Sequence, residues 1–114
     1  MKKNKISANY LEKVPVRVPS IGWSADESGA VTLEIENKGL FNRIAQKLFK
    51  RPKISYIHLD ENGSFVWQQI DGERDILGIG EAVKEHFGDA AEPLYERLAQ
   101  FFGILESYRF VNFK

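Results

Sequence analysis

The residue types that carry most protein chemistry are sparse and scattered in this chain. Histidine occurs only at His58 and His86, and neither has a second histidine or a carboxylate at metal-ligand spacing. Both read as surface or helix-end residues rather than ligands. Cysteine is absent, which excludes disulfides, iron–sulfur clusters, zinc-thiolate sites and a thiol nucleophile. No serine stands in a nucleophile-elbow context. Asp60, Asp71 and Asp75 read as caps and turns rather than paired acids, because a short side-chain oxygen at such positions satisfies free backbone N–H groups. Gly78-Ile79-Gly80 has part of the spacing of a dinucleotide fingerprint, but no strand precedes it and the third glycine is missing, so close helix packing is the reading. Asn62-Gly63-Ser64 matches a glycosylation acceptor without any secretion signal. No catalytic residue, metal ligand or cofactor is expected, and the protein is read as not an enzyme.

The remaining candidate for chemistry is charge. Lys47, Lys50, Arg51 and Lys53 cluster next to Phe49 and form a possible patch for an anionic partner. The formal net charge of +0 conceals a division: residues 1–58 hold 11 basic and 5 acidic residues, and residues 59–114 hold 5 and 11. Halves that fold onto each other and a basic surface prepared for an anion both explain that division. A nucleic-acid reading ranks below a peptide reading, because the helices that would meet DNA carry Glu81, Glu85, Glu92 and Glu96, which repel phosphates. A solvated helix face is the commonest fate of such a cluster.

A chain of 114 residues with 43% hydrophobic and 28% charged residues is the size and composition of one globular domain. We expect a flexible basic N-terminus over residues 1–9 and a single domain over 10–114. The longest apolar runs fall far short of a membrane span, and a cytoplasmic location is expected. Residues 14–26 are broken by Pro15 and Pro19 and read as an edge strand or extended lead-in ending at Trp23. After a turn at Asp26-Glu27-Ser28-Gly29, Val31, Leu33 and Ile35 alternate with Thr32, Glu34 and Glu36 as a half-buried strand. Leu40, Phe41, Ile44, Ala45, Leu48 and Phe49 recur at the spacing of an inserted amphipathic helix. Residues 54–59 read as a third strand, with Ile54, Tyr56 and His58 on one face.

Three helices then follow. Asp60 caps the first, in which Val66, Trp67 and Ile70 point inward; Asp71-Gly72 turns the chain; Asp75 caps the second, with Ile76, Ile79, Val83 and Phe87 on one face and Gly88 as its stop. The third starts between Asp89 and Pro93 and carries the stripe Leu94, Leu98, Phe101, Phe102 and Leu105. Residues 110–113 read as a short strand able to pair with a sheet edge. The pattern is α+β: an N-terminal three-stranded antiparallel sheet followed by three helices, of the winged helix-turn-helix kind.

The run Leu59-Asp60-Glu61-Asn62-Gly63-Ser64-Phe65-Val66-Trp67-Gln68-Gln69-Ile70-Asp71-Gly72-Glu73-Arg74-Asp75-Ile76 resembles the core signature of the PqqD-like family, the pyrroloquinoline quinone biosynthesis protein D-like recognition elements of RiPP precursor peptides. The similarity continues through Glu81-Ala82-Val83-Lys84-Glu85-His86-Phe87-Gly88 and Leu94-Tyr95-Glu96-Arg97-Leu98. It implies a non-catalytic peptide-binding module, a peptide chaperone that presents a leader peptide to a modifying enzyme such as a radical-SAM protein. It further implies that the leader adds as a strand to Ile54, Tyr56 and His58 and lies against a helix surface drawn from Tyr95, Leu98 and Phe102. An exposed sheet edge supplies backbone donors and acceptors for affinity, and alternate side-chain pockets supply selectivity. The basic helix over residues 40–50 stands where the family has a short connection.

Overall fold

The computed structural model describes residues 8–36 and 54–114. In chain order the described elements are α1 (Ala8–Leu11), β1 (Pro15–Arg17), β2 (Gly22–Ala25), β3 (Val31–Glu36), β4 (Ile54–His58), α2 (Glu61–Gln69), α3 (Ile76–Phe87), a 3-10 turn (Gly88–Ala91), α4 (Leu94–Ser107) and β5 (Val111–Phe113). The expected α+β class holds, with antiparallel sheets and four described α-helices. The described residues group into two compact units whose boundary falls within α2. One runs from Pro19 to Ser64; the other joins the residues up to Val18 with Phe65–Lys114. The helix expected over residues 40–50 and residues 1–7 lie outside the described residues. Residues 8 and 9, expected in the flexible terminus, open α1.

The first unit is a three-stranded antiparallel sheet of order β2-β3-β4. Its hairpin forms because Asp26 Oδ1 accepts hydrogen bonds from the Ser28 N–H at 2.9 Å, the Ser28 hydroxyl at 2.7 Å and the Ala30 N–H at 3.0 Å. Gly29 takes the positive φ of +90° that the turn needs. The hydroxyl of Ser28, foremost among these donors, holds the Asp26 carboxyl below the ordinary carboxylate range. In β3 the expected alternation is present: Val31 and Leu33 are buried, while Thr32, Glu34 and Glu36 take the other face.

The rung that closes the β3–β4 ladder contains a side chain. The Leu59 N–H donates to Val31 O at 2.9 Å. The Val31 N–H, however, donates to Ser64 Oγ at 2.8 Å, and the Ser64 hydroxyl donates onward to Leu59 O at 3.2 Å. A buried hydroxyl, 2% exposed, thus stands in for the missing half of a rung and fixes the start of α2 to the sheet. Ser64→Ala should leave the buried Val31 N–H without its acceptor and cost about 1–3 kcal/mol. Denaturant titration checks this: an unchanged midpoint would show that the hydroxyl bridge contributes nothing.

Caps and turns set the helix boundaries. Asp60 Oδ1 accepts from the Gly63 N–H at 2.7 Å and opens α2 from the sheet side. Past the boundary, Val66, Trp67 and Ile70 are buried. Asp71 Oδ1 then accepts from the Glu73 and Arg74 N–H groups, both at 2.9 Å, around Gly72 at φ +78°. Asp75 caps α3 by accepting from the Gly78 N–H at 2.8 Å. Ile76, Ile79 and Val83 of α3 and Leu94, Leu98, Phe102 and Leu105 of α4 form the core, while Phe101 is half-buried.

The lead-in over residues 14–26 is a correction: it is two strands in two different sheets. β1 pairs antiparallel with the C-terminal β5, Pro15 opposite Phe113 and Arg17 opposite Val111, and β2 pairs with β3. A turn at Pro19 and Ser20 separates them. Hydrogen bonds from Lys114 N–H to Val14 O and from Val18 N–H to Phe110 O place the bonded rungs at even positions of β1. The nitrogen of Pro15 therefore points away from β5, and its missing donor leaves the ladder intact.

Candidate functional site

The register of β4 determines what its edge offers. Thr32 lies opposite His58, Glu34 opposite Tyr56 and Glu36 opposite Ile54. Antiparallel rungs alternate between hydrogen-bonded and non-bonded pairs. The Leu59 N–H bond to Val31 O makes the pairs at Leu59, Ile57 and Ser55 the bonded ones. The backbone N–H and C=O groups of Ile54, Tyr56 and His58 consequently point away from β3, and no described strand occupies that side. The 2.9 Å contact between Thr32 Oγ1 and His58 Nδ1 agrees with this parity, because side chains approach most closely across non-bonded rungs.

All five residues of β4 are exposed. Ile54, Tyr56 and His58 share the face of Thr32, Glu34 and Glu36, and Tyr56 is 59% exposed. The carboxylate of Glu34 leans the other way, over Gly22: a Cβ built on that glycine would sit 3.2 Å from Glu34 Oε1. On the second face, Ile57 continues an apolar row with Leu33 and Trp23, which lie opposite one another in the register.

On α4, Tyr95, Leu98 and Phe102 fall at helical spacing on one face. Leu98 and Phe102 are buried, and Tyr95 is half-buried. The ring of Tyr95 lies directly on α3, where Gly80 leaves the room: a Cβ at Gly80 would come within 2.6 Å of Tyr95 Cε1 and 3.1 Å of Leu98 Cδ1. The reading of Gly80 as a packing glycine is borne out. Burial raises the Tyr95 hydroxyl above the ordinary phenol range, and the charges of Glu81, Glu92 and Asp75 push it the same way.

The structure brings Ile54, Tyr56 and His58 together on one strand and Tyr95, Leu98 and Phe102 on one helix face. Lys47, Lys50, Arg51 and Lys53 lie outside the described residues. Glu81, Glu85, Glu92 and Glu96 are all exposed. His86 stacks on Phe65 with ring centroids 4.3 Å apart. Among the described residues no group of three or more His, Asp or Glu side chains is placed to hold a metal ion, and no helix is long and apolar enough to cross a membrane. Two features escaped the sequence reading, the outward parity of residues 54, 56 and 58 and the bridging role of Ser64. The signal for Ser64 was present: a serine three residues before Trp67 sits on the buried side of an amphipathic helix.

Among the described residues, an antiparallel sheet with β4 as its outer strand is followed by capped helices, an α+β arrangement. A family model described as Coenzyme PQQ synthesis protein D (PqqD) matches residues 29–111, most of the chain, and the chain belongs to that family. Its members are accessory proteins of PQQ synthesis rather than catalysts. Neither the curated proteins nor the solved structures include a significant match.

Proposed function

We propose that the protein is a cytoplasmic, non-catalytic adaptor that binds the leader of a precursor peptide as an added strand on β4 and presents it to a modifying enzyme such as a radical-SAM protein. One observation carries the reading: three alternate residues of an exposed outer strand direct their backbone donors and acceptors away from the sheet. Such an edge recognises extended chain by its main-chain bonds and selects among chains by the side chains on either face. Of the helix residues that the family resemblance implies, Leu98 and Phe102 are buried and Tyr95 is half-buried, so Tyr95 is the one that keeps surface of its own. Lys47, Lys50, Arg51 and Lys53 would meet acidic residues of the guest or the enzyme. A winged-helix arrangement is compatible with this use, and the exposed glutamates of the helical unit favour a peptide over nucleic acid as its partner.

Anisotropy titration with a labelled precursor peptide encoded near the gene tests the proposal. Saturable binding that resides in the leader and survives removal of the core peptide is expected. Precursors that bind only through their core segments, or not at all, would contradict it.

A further inference from the structure

Asn62 is the only asparagine in the chain that is followed by glycine. Glycine has no side chain to shield its backbone nitrogen, so an Asn-Gly pair is where that nitrogen most readily attacks the preceding side-chain amide. Here the pair lies in the first turn of α2, directly after Glu61. The Gly63 N–H, the group that would attack, is buried and donates to Asp60 Oδ1 at 2.7 Å. The Ser64 N–H donates to Asp60 O at 2.8 Å and closes the same turn. Asn62 itself is half-buried.

We propose that Asn62 is a deamidation site kept closed by the Asp60 cap, and that its product unlocks the last rung between β3 and β4. The Gly63 nitrogen loses its proton to a solvent base and bonds to Asn62 Cγ. The amide C–N bond breaks, ammonia leaves with a proton from water, and a five-membered succinimide remains. Water then adds to one of the two imide carbonyls and opens the ring to aspartate or isoaspartate. The cap opposes the first step, because a carboxylate against the N–H disfavours the amide anion. The helix opposes the second, because ring closure takes Asn62 out of helical ψ. The reaction therefore waits for the first turn of α2 to open, a local event that helix ends undergo more readily than the core. The two products differ in consequence. Aspartate places negative charge in the first turn, which the helix dipole favours. Isoaspartate adds a methylene to the main chain before Gly63. The turn can then no longer hold the Gly63 N–H on Asp60 and the Ser64 hydroxyl between Val31 N–H and Leu59 O in one register.

The test incubates the full chain at mildly alkaline pH, folded and in urea, and maps the amide-to-acid mass gain to the peptide containing Asn62. Asp71-Gly72 can form the same imide but gains no mass, so the readout is specific to asparagine. The gain should be fast in urea and slow in the folded chain. Asp60→Ala should speed the folded-state reaction about three- to thirtyfold, the extra population of open turn that follows loss of a helix cap. Asp60→Asn keeps a side-chain acceptor and should stay near the parent rate. Aged chain carrying isoaspartate should melt below the parent, and Asn62→Asp should not. Equal rates in the folded and unfolded parent would overturn the proposal, and that comparison decides it even where Asp60→Ala fails to fold. Equal rates in folded Asp60→Ala and parent, or unchanged melting of the isoaspartate form, would also overturn it.

Discussion

Truncating Trp67 to alanine is expected to cost about 3–5 kcal/mol, the penalty for deleting a buried large aromatic side chain. Trp67 is fully buried, with Val66 beside it in α2 and Ile70, also buried, just past the end of that helix, and the Arg17 guanidinium lies 5.9 Å from its ring centroid. The Asp71-Gly72 turn that follows fixes the direction of α3, so a loosened α2 also frees the element after it. A domain of this size has about 5–15 kcal/mol of total stability, and the variant should be partly unfolded at ordinary temperature. Ligand binding would fall with the fold. Thermal denaturation beside the parent decides the matter. A large drop in midpoint supports the core assignment; near-normal melting with selective loss of binding would make Trp67 a contact residue instead.

Replacing Tyr56 with proline should spare the fold and weaken peptide binding. The Tyr56 N–H points away from β3, so the substitution removes no bond of the β3–β4 ladder, and an outward-facing proline is tolerated on an edge strand. Ser55 is already extended, as a residue before proline must be. A guest strand, by contrast, loses its central donor and meets the proline ring at the same place. Leaving the guest's carbonyl unsatisfied costs about 1–3 kcal/mol, equivalent to about tenfold or more in affinity. Ile57→Pro is the matched control: its N–H lies in the bonded rung with Leu33, and its loss should lower the melting midpoint of the unbound protein. Equal effects of the two prolines on folding would refute the assigned parity, and full peptide affinity in Tyr56→Pro would remove the guest from this edge.

Much of the fold is legible in the sequence because its boundaries are set by local chemistry. Asp60, Asp75 and Gly88 each act through backbone groups within a few residues, so cap and stop signals locate α2 and α3 directly. The alternation of Val31 and Leu33 with Thr32 and Glu34 gives the buried face of β3 in the same way. What was not legible depends on distant pairing. The split of residues 14–26 into β1 and β2 follows from β5, nearly a hundred residues away in the chain, accepting Pro15 at a rung that needs no donor. At the candidate site, residue types give the strand and which residues share a face. They do not give which backbone groups point outward, since that parity is set by a single rung, Leu59 to Val31, whose other half is completed by Ser64.

The most direct measurement is amide hydrogen exchange along β4 in dilute protein, with and without a bound leader peptide. Alone, Ser55, Ile57 and Leu59 should exchange slowly, because their N–H groups lie in the ladder with β3, and Ile54, Tyr56 and His58 should exchange fast. Saturating leader should slow those three and leave the protected set unchanged, giving continuous protection along the strand. Binding that leaves Ile54, Tyr56 and His58 in fast exchange while protection appears elsewhere would contradict strand addition at this edge.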